Sequence, residues 1–92
     1  MKLGTVSKQP AERFSYTIDY TTALTTGDNV ESVTVVADPA GLTIDNIATY
    51  DPKIKFWAEG GTTGIKYKVT TTVTTADGRI FQDEIFFKIK EI

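Results

Sequence analysis

The chain has 92 residues, enough for one domain and too few for two. It contains no cysteine and no histidine, which rules out disulfides, thiolate or imidazole zinc sites and an imidazole general base. Ten Lys and Arg stand against 12 Asp and Glu, a formal net charge of −2 that argues against a dedicated nucleic-acid binder.

Residues 1–9 carry Gly4, scattered charge and no periodicity before Pro10, and are expected to be a flexible N-terminal arm, leaving 10–92 as a single domain. They contain no apolar run fit for a signal peptide, and no later segment approaches the ~20 apolar residues of a membrane span. Synthesis in a cytoplasm-like compartment without membrane attachment is the expectation. Threonine is abundant, at 16 of 92 residues, and β-branched side chains suit pleated sheets better than helices. No stretch sustains a helical period.

The first strand is predicted over Glu12–Tyr20, where Phe14, Tyr16, Ile18 and Tyr20 alternate with polar residues. Thr21–Asp28 reads as a loop anchored by Leu24, with Gly27-Asp28 as its turn signal. Val30–Ala37 follows as a strand with Val33 and Val35 on one face, ended by Asp38-Pro39-Ala40-Gly41. In Leu42–Tyr50 the apolar parity changes between Ile44 and Ile47, which predicts a bulge or break near Asp45-Asn46. Lys53–Ala58 alternates again, with Ile54, Phe56 and Ala58 on one face and Lys53, Lys55 and Trp57 on the other.

The last third fixes its own register. A two-residue loop at Asp77-Gly78 would set Val73 against Gln82 and Tyr67 against Lys88. A three-residue loop, Ala76-Asp77-Gly78, pairs Val73 with Phe81, Val69 with Ile85, Tyr67 with Phe87 and Ile65 with Ile89. Opposed residues share a face and a one-residue slip inverts every side chain, so the apolar pairing selects the longer loop. Gly78 then stands where such a loop needs a left-handed residue. Asp83 falls on the apolar face opposite Thr71, and an Asp–Thr hydrogen bond is expected to satisfy it.

Six or seven short strands with turns every 8–12 residues indicate an all-β immunoglobulin-like sandwich of antiparallel strands. Gly64-Ile65-Lys66-Tyr67-Lys68-Val69 is similar to the glycine–x–tyrosine–x–cysteine stretch of immunoglobulin-like domains, with Val69 in the cysteine position. Tyr67 would there form the tyrosine corner, its hydroxyl bonded to an upstream backbone group.

No catalytic set emerges, and no enzyme is expected. Asp83 and Glu84 are adjacent but point to opposite faces of a strand and cannot share a proton. Asp28, Asp38, Asp45, Asp51 and Asp77 flank Gly, Pro or Asn and read as turn residues, with a loop-clustered calcium site as the lesser alternative. No cofactor or metal is expected. The candidate interface residues are Trp57 with Lys53 and Lys55 on one outward face, and Phe86 and Ile80 on another. Trp57 could equally fold over the sheet edge or lie under the Thr21–Asp28 loop. The arm could add a strand to a neighbouring subunit. Lys66 and Lys68, neighbours on one strand face, read as a solvated surface rather than a phosphate site.

The order Lys8-Gln9-Pro10, Tyr16-Thr17-Ile18-Asp19-Tyr20, Leu24, Gly27-Asp28, Gly41-Leu42-Thr43, Trp57 with Gly60-Gly61, Gly64, Tyr67-Lys68-Val69-Thr70 and Ala76-Asp77-Gly78-Arg79 resembles the fibre–tail adaptor proteins of tailed bacteriophages and prophages. The likeness covers roughly residues 8–90, and the Asp- and Asn-rich segment 42–50 departs from it. It implies a virion structural protein of the tail, made in the bacterial host, that contacts other tail proteins and copies of itself. A carbohydrate- or surface-binding module and a plain spacer domain are the competing expectations.

Overall fold

A computed structural model describes residues 1–91; Ile92, the last residue of the expected domain, lies outside the described residues. Seven strands follow one another: β1 (Lys2–Lys8), β2 (Arg13–Asp19), β3 (Val30–Asp38), β4 (Leu42–Tyr50), β5 (Lys53–Gly60), β6 (Lys66–Thr75) and β7 (Ile80–Ile89). They form a four-stranded sheet, β1-β7-β6-β3, packed on a three-stranded sheet, β2-β5-β4. This is an immunoglobulin-like β-sandwich, with no helix among the described residues. All pairings are antiparallel except β1 with β7.

The β6–β7 hairpin has the register read from its apolar pairs. Val73 opposes Phe81, Val69 opposes Ile85, Tyr67 opposes Phe87, and Asp83 opposes Thr71. The ladder ends one step short of the expected Ile65–Ile89 pair, although the Ile89 amide still donates to the Ile65 carbonyl at 3.2 Å. Ala76-Asp77-Gly78 is the loop, and Gly78 takes φ 91°. The bulge also falls where the parity changed: the β4–β5 register shifts between Asp45 and Ala48, with Asn46 at φ 49°. Asparagine tolerates this left-handed region because its short side chain can bond locally.

Two expectations are corrected. Residues read as a flexible arm form β1, hydrogen-bonded in parallel along β7 and closing one side of the larger sheet. Val6 packs on the core, and Lys8 is 3% exposed. Its ammonium donates to the Gln9 and Gly60 carbonyls at 2.8 and 2.6 Å, tying β1 to β5 of the opposite sheet. Desolvation pulls its pKa below the ordinary lysine value against the pull of Glu12 and Glu59. Short polar strands of this kind carry almost no alternation, which is why the sequence pattern hides them. Phe14, expected on the apolar face, has the right parity but is 48% exposed at the start of β2.

Ile54, Phe56, Ala58, Tyr67, Val69, Val73, Phe87 and Ile89 form the centre of the core, all but inaccessible to solvent. Burying each large aliphatic or aromatic side chain contributes about 1.5–3 kcal/mol. Tyr16 bridges the sheets, its ring edge-on to Phe87 at 5.0 Å and tilted against Phe56 at 5.7 Å.

Tyr67 occupies the tyrosine corner. Its hydroxyl accepts the Thr62 amide at 2.9 Å, five residues upstream. Gly41 and Gly61 make room for it: a Cβ on Gly41 would lie 2.8 Å from the Tyr67 hydroxyl oxygen, and one on Gly61 would lie 2.6 Å from Cγ1 of Ile89. Gly64 begins the turn into β6 and donates its amide to the Ile89 carbonyl at 2.9 Å. Tyr67→Phe keeps the ring and loses only the acceptor, so urea denaturation should show a loss of about 1 kcal/mol. Gly61→Ala forces an overpacked contact at a positive φ and should cost more, about 1–3 kcal/mol.

Candidate interaction surfaces

β5 is the centre of the smaller sheet, and its alternation turns Lys53, Lys55, Trp57 and Glu59 outward. Trp57 stands in register with Ser15 on β2 and Asp45 on β4. It is half-buried, and the covering group comes from its own sheet. The Arg13 guanidinium lies 5.0 Å above the indole and Lys55 approaches at 5.5 Å. Arg13 donates to both Asp45 carboxylate oxygens, at 3.1 and 2.9 Å, and lies 3.5 Å from Glu59. The hydrogen bond to Asp45 raises the arginine pKa further. Bidentate pairing and stacking together hold the guanidinium plane over the ring. Lys53 sits lower on the same face, between Asp19 and Tyr50 in register.

The outer face of the larger sheet repeats the motif with lysines. Phe86 lies across from Lys68 on β6 and Thr5 on β1. Lys2 and Lys66 place their ammonium groups 5.0 and 4.9 Å from its ring centroid. Ile80, at the far end of β7, is 67% exposed in register with Thr74. Between them runs a threonine field: Thr34, Thr70, Thr72 and Thr74 lie on adjacent strands with Val36 among them. Val36 is 60% exposed, and it and Tyr50 add apolar surface that sequence reasoning had not singled out. Val36 stands out of phase with Val33 and Val35, a signal present in the strand parity, whereas Tyr50 shares the parity of Leu42 and faces outward because the bulge between Asp45 and Ala48 inverts the phase.

The buried carboxylate belongs to the core. Asp83 does not bond the Thr71 side chain as expected; it accepts the Tyr20 hydroxyl at 2.9 Å. The Thr71 hydroxyl instead reaches the Asp83 backbone carbonyl at 3.5 Å. Tyr20 follows β2 of the facing sheet and points across the sandwich, so the partner comes from a distant strand rather than from the ladder. Its neighbour Glu84 faces outward, with the Met1 ammonium at 3.5 Å. Among the described residues no group of three or more acidic side chains is close enough to hold a metal ion. Among the described residues no helix is long and apolar enough to cross a membrane.

Burial, offset by Thr71 and reinforced by Asp83, pushes the Tyr20 phenol up to about 12. The unfolded phenol ionises near its ordinary value of about 10, so stability present below that pH is lost as the pH rises toward the folded value. Tyr20→Phe should flatten this alkaline loss in a pH series of thermal melts. At neutral pH it should cost about 1.5–3 kcal/mol, the worth of a buried hydrogen bond to a charged group.

No curated protein sequence matches the chain. A family model described as podophage GP4 fiber-tail adaptor protein gp77 matches residues 8–88, from the buried Lys8 at the end of β1 to Lys88 near the end of β7. A match that takes in both sheets, the tyrosine corner and both outward aromatics shows that the chain belongs to this family of podophage fiber-tail adaptor proteins.

Proposed function

We propose that this protein is a non-enzymatic structural adaptor of the phage tail, joining fibre or neighbouring tail proteins through protein–protein contacts. The observation that carries this reading is the family match across nearly the whole sandwich. Its partners are other tail proteins and further copies of itself in the virion, and the role calls for neither nucleic acid nor a membrane.

An adaptor must hold two neighbours at once, and the sandwich offers two opposite outer faces. Each presents one half-buried aromatic between two cations: Trp57 between Arg13 and Lys55, Phe86 between Lys2 and Lys66. Aromatic and arginine side chains dominate interface energetics because they bring large area at low entropic cost. Lys53 and Ile80 extend the two faces toward the hairpin end of the molecule.

The test is incorporation into phage particles. Trp57→Ala and Phe86→Ala should each leave the purified chain folded and reduce its incorporation about tenfold or more, as loss of an interface anchor does. Normal incorporation of both variants would remove these faces from the assembly. Saturable binding of a glycan by the isolated chain, lost in Trp57→Ala while assembly stays normal, would establish the carbohydrate-binding alternative instead.

A further inference from the structure

The Phe86 face carries an excess of positive charge with one like-charged pair at its centre. Lys66 and Lys88 stand directly opposite one another in the β6–β7 ladder. Like charges so placed destabilise a sheet. Lys2 and Lys68 adjoin the same ring. Among the described residues none of these four lysines forms an ion pair. Among the described residues the ladder sets Asp38 opposite Lys68 and Glu84 opposite Lys2, with the Met1 ammonium also at Glu84, so no carboxylate stands in register with Lys66 or Lys88. Both arginines are committed elsewhere, Arg13 to Asp45 and Arg79 to Asp28 and Asp77. Beside the lysine pair a cleft of about 430 Å³ opens between Ser7, Gly64 and Lys90.

We infer that this lysine face docks an acidic segment of a partner protein, laying an apolar side chain on Phe86 and setting Asp or Glu carboxylates between Lys66 and Lys88. The inference rests on the adaptor reading of the Phe86 face and adds the chemistry of the partner. Carboxylates arriving from outside relieve the Lys66–Lys88 repulsion, so the cost carried by the free sheet becomes binding energy in the complex. The chemistry favours a protein over a phosphate polymer. The patch contains no free arginine fork for phosphate oxygens, and lysine acts there as a point charge. An aromatic floor beneath the charges suits a segment with mixed apolar and acidic side chains.

The experiment is an NMR titration of the full chain, amide by amide, with a blocked peptide of Glu and Asp residues around a central Leu-Phe pair. Shifts should concentrate at Lys66, Lys68, Phe86 and Lys88, and binding should weaken as salt is raised. Lys66→Glu with Lys88→Glu should reduce affinity roughly tenfold or more, while Lys66→Arg with Lys88→Arg retains it. Lys66→Glu alone should raise the thermal midpoint of the free protein, since an opposite pair replaces a like one, while lowering peptide affinity. Absence of shifts, shifts elsewhere, or unchanged affinity in the charge-reversed variant would overturn the inference. So would tighter binding of an oligothymidylate of equal charge, or peptide-free self-association abolished by Lys66→Glu, which would identify the occupant as a second copy. Phage incorporation separates the two levels. If Phe86→Ala blocks it and the double reversal does not, the acidic partner falls and the adaptor face stands. If neither variant affects it, the face falls as well.

Discussion

The opposition of Val73 to Phe81, Val69 to Ile85 and Tyr67 to Phe87 orients everything else in this sandwich. β6 and β7 are the two inner strands of the larger sheet, with β3 added beside β6 and β1 beside β7. Because strand side chains alternate strictly, one register puts Tyr67, Val69 and Val73 inward and Lys66, Lys68, Thr70, Thr72 and Thr74 outward. The core and the lysine–threonine face are therefore two sides of a single pairing decision. A slip by one residue would expose the former and bury the latter.

The two sheets are held together less by any single contact than by side chains that reach across the gap. Tyr16 touches Phe56 in its own sheet and Phe87 in the other. Tyr20 leaves the end of β2 to satisfy Asp83 on β7, and Lys8 leaves β1 to bind the Gly60 carbonyl at the end of β5. Tyr20 and Lys8 each bring a polar group into or against an apolar interior and find it a partner there. Buried polar groups cost free energy unless bonded, and every such side-chain atom among the described residues has a partner.

The outer faces follow a different economy. Cation over aromatic recurs on both sheets, with arginine and a carboxylate completing the arrangement around Trp57 and lysines alone around Phe86. The first is internally neutralised, and its indole is half covered. The second keeps an excess of positive charge, with Lys66 opposite Lys88, beside open threonine surface. Under the proposed adaptor role, two chemically different faces would suit two chemically different neighbours.

Local pattern was sufficient wherever alternation was strong. Period two in β2, β3, β5, β6 and β7 marked the strands. Val73 facing Phe81 chose the loop, and the parity change before Ile47 located the β4 bulge. Outward Trp57, Phe86 and Ile80 were legible by the same parity, as was the position of Tyr67 at the start of β6. What alternation cannot encode is which distant strand lies opposite. Lys2–Lys8 is polar and irregular, so only its pairing with β7 makes it a strand. Asp83 sits in its own ladder beside Thr71, yet its hydrogen bond comes from Tyr20 in the facing sheet. Arg13 and Asp45 are 32 positions apart, and only the β2-β5-β4 order brings them together over Trp57. Local side-chain period is a property of the chain; partners across sheets and between non-adjacent strands are set by how the layers pack, and the tertiary structure alone decides them.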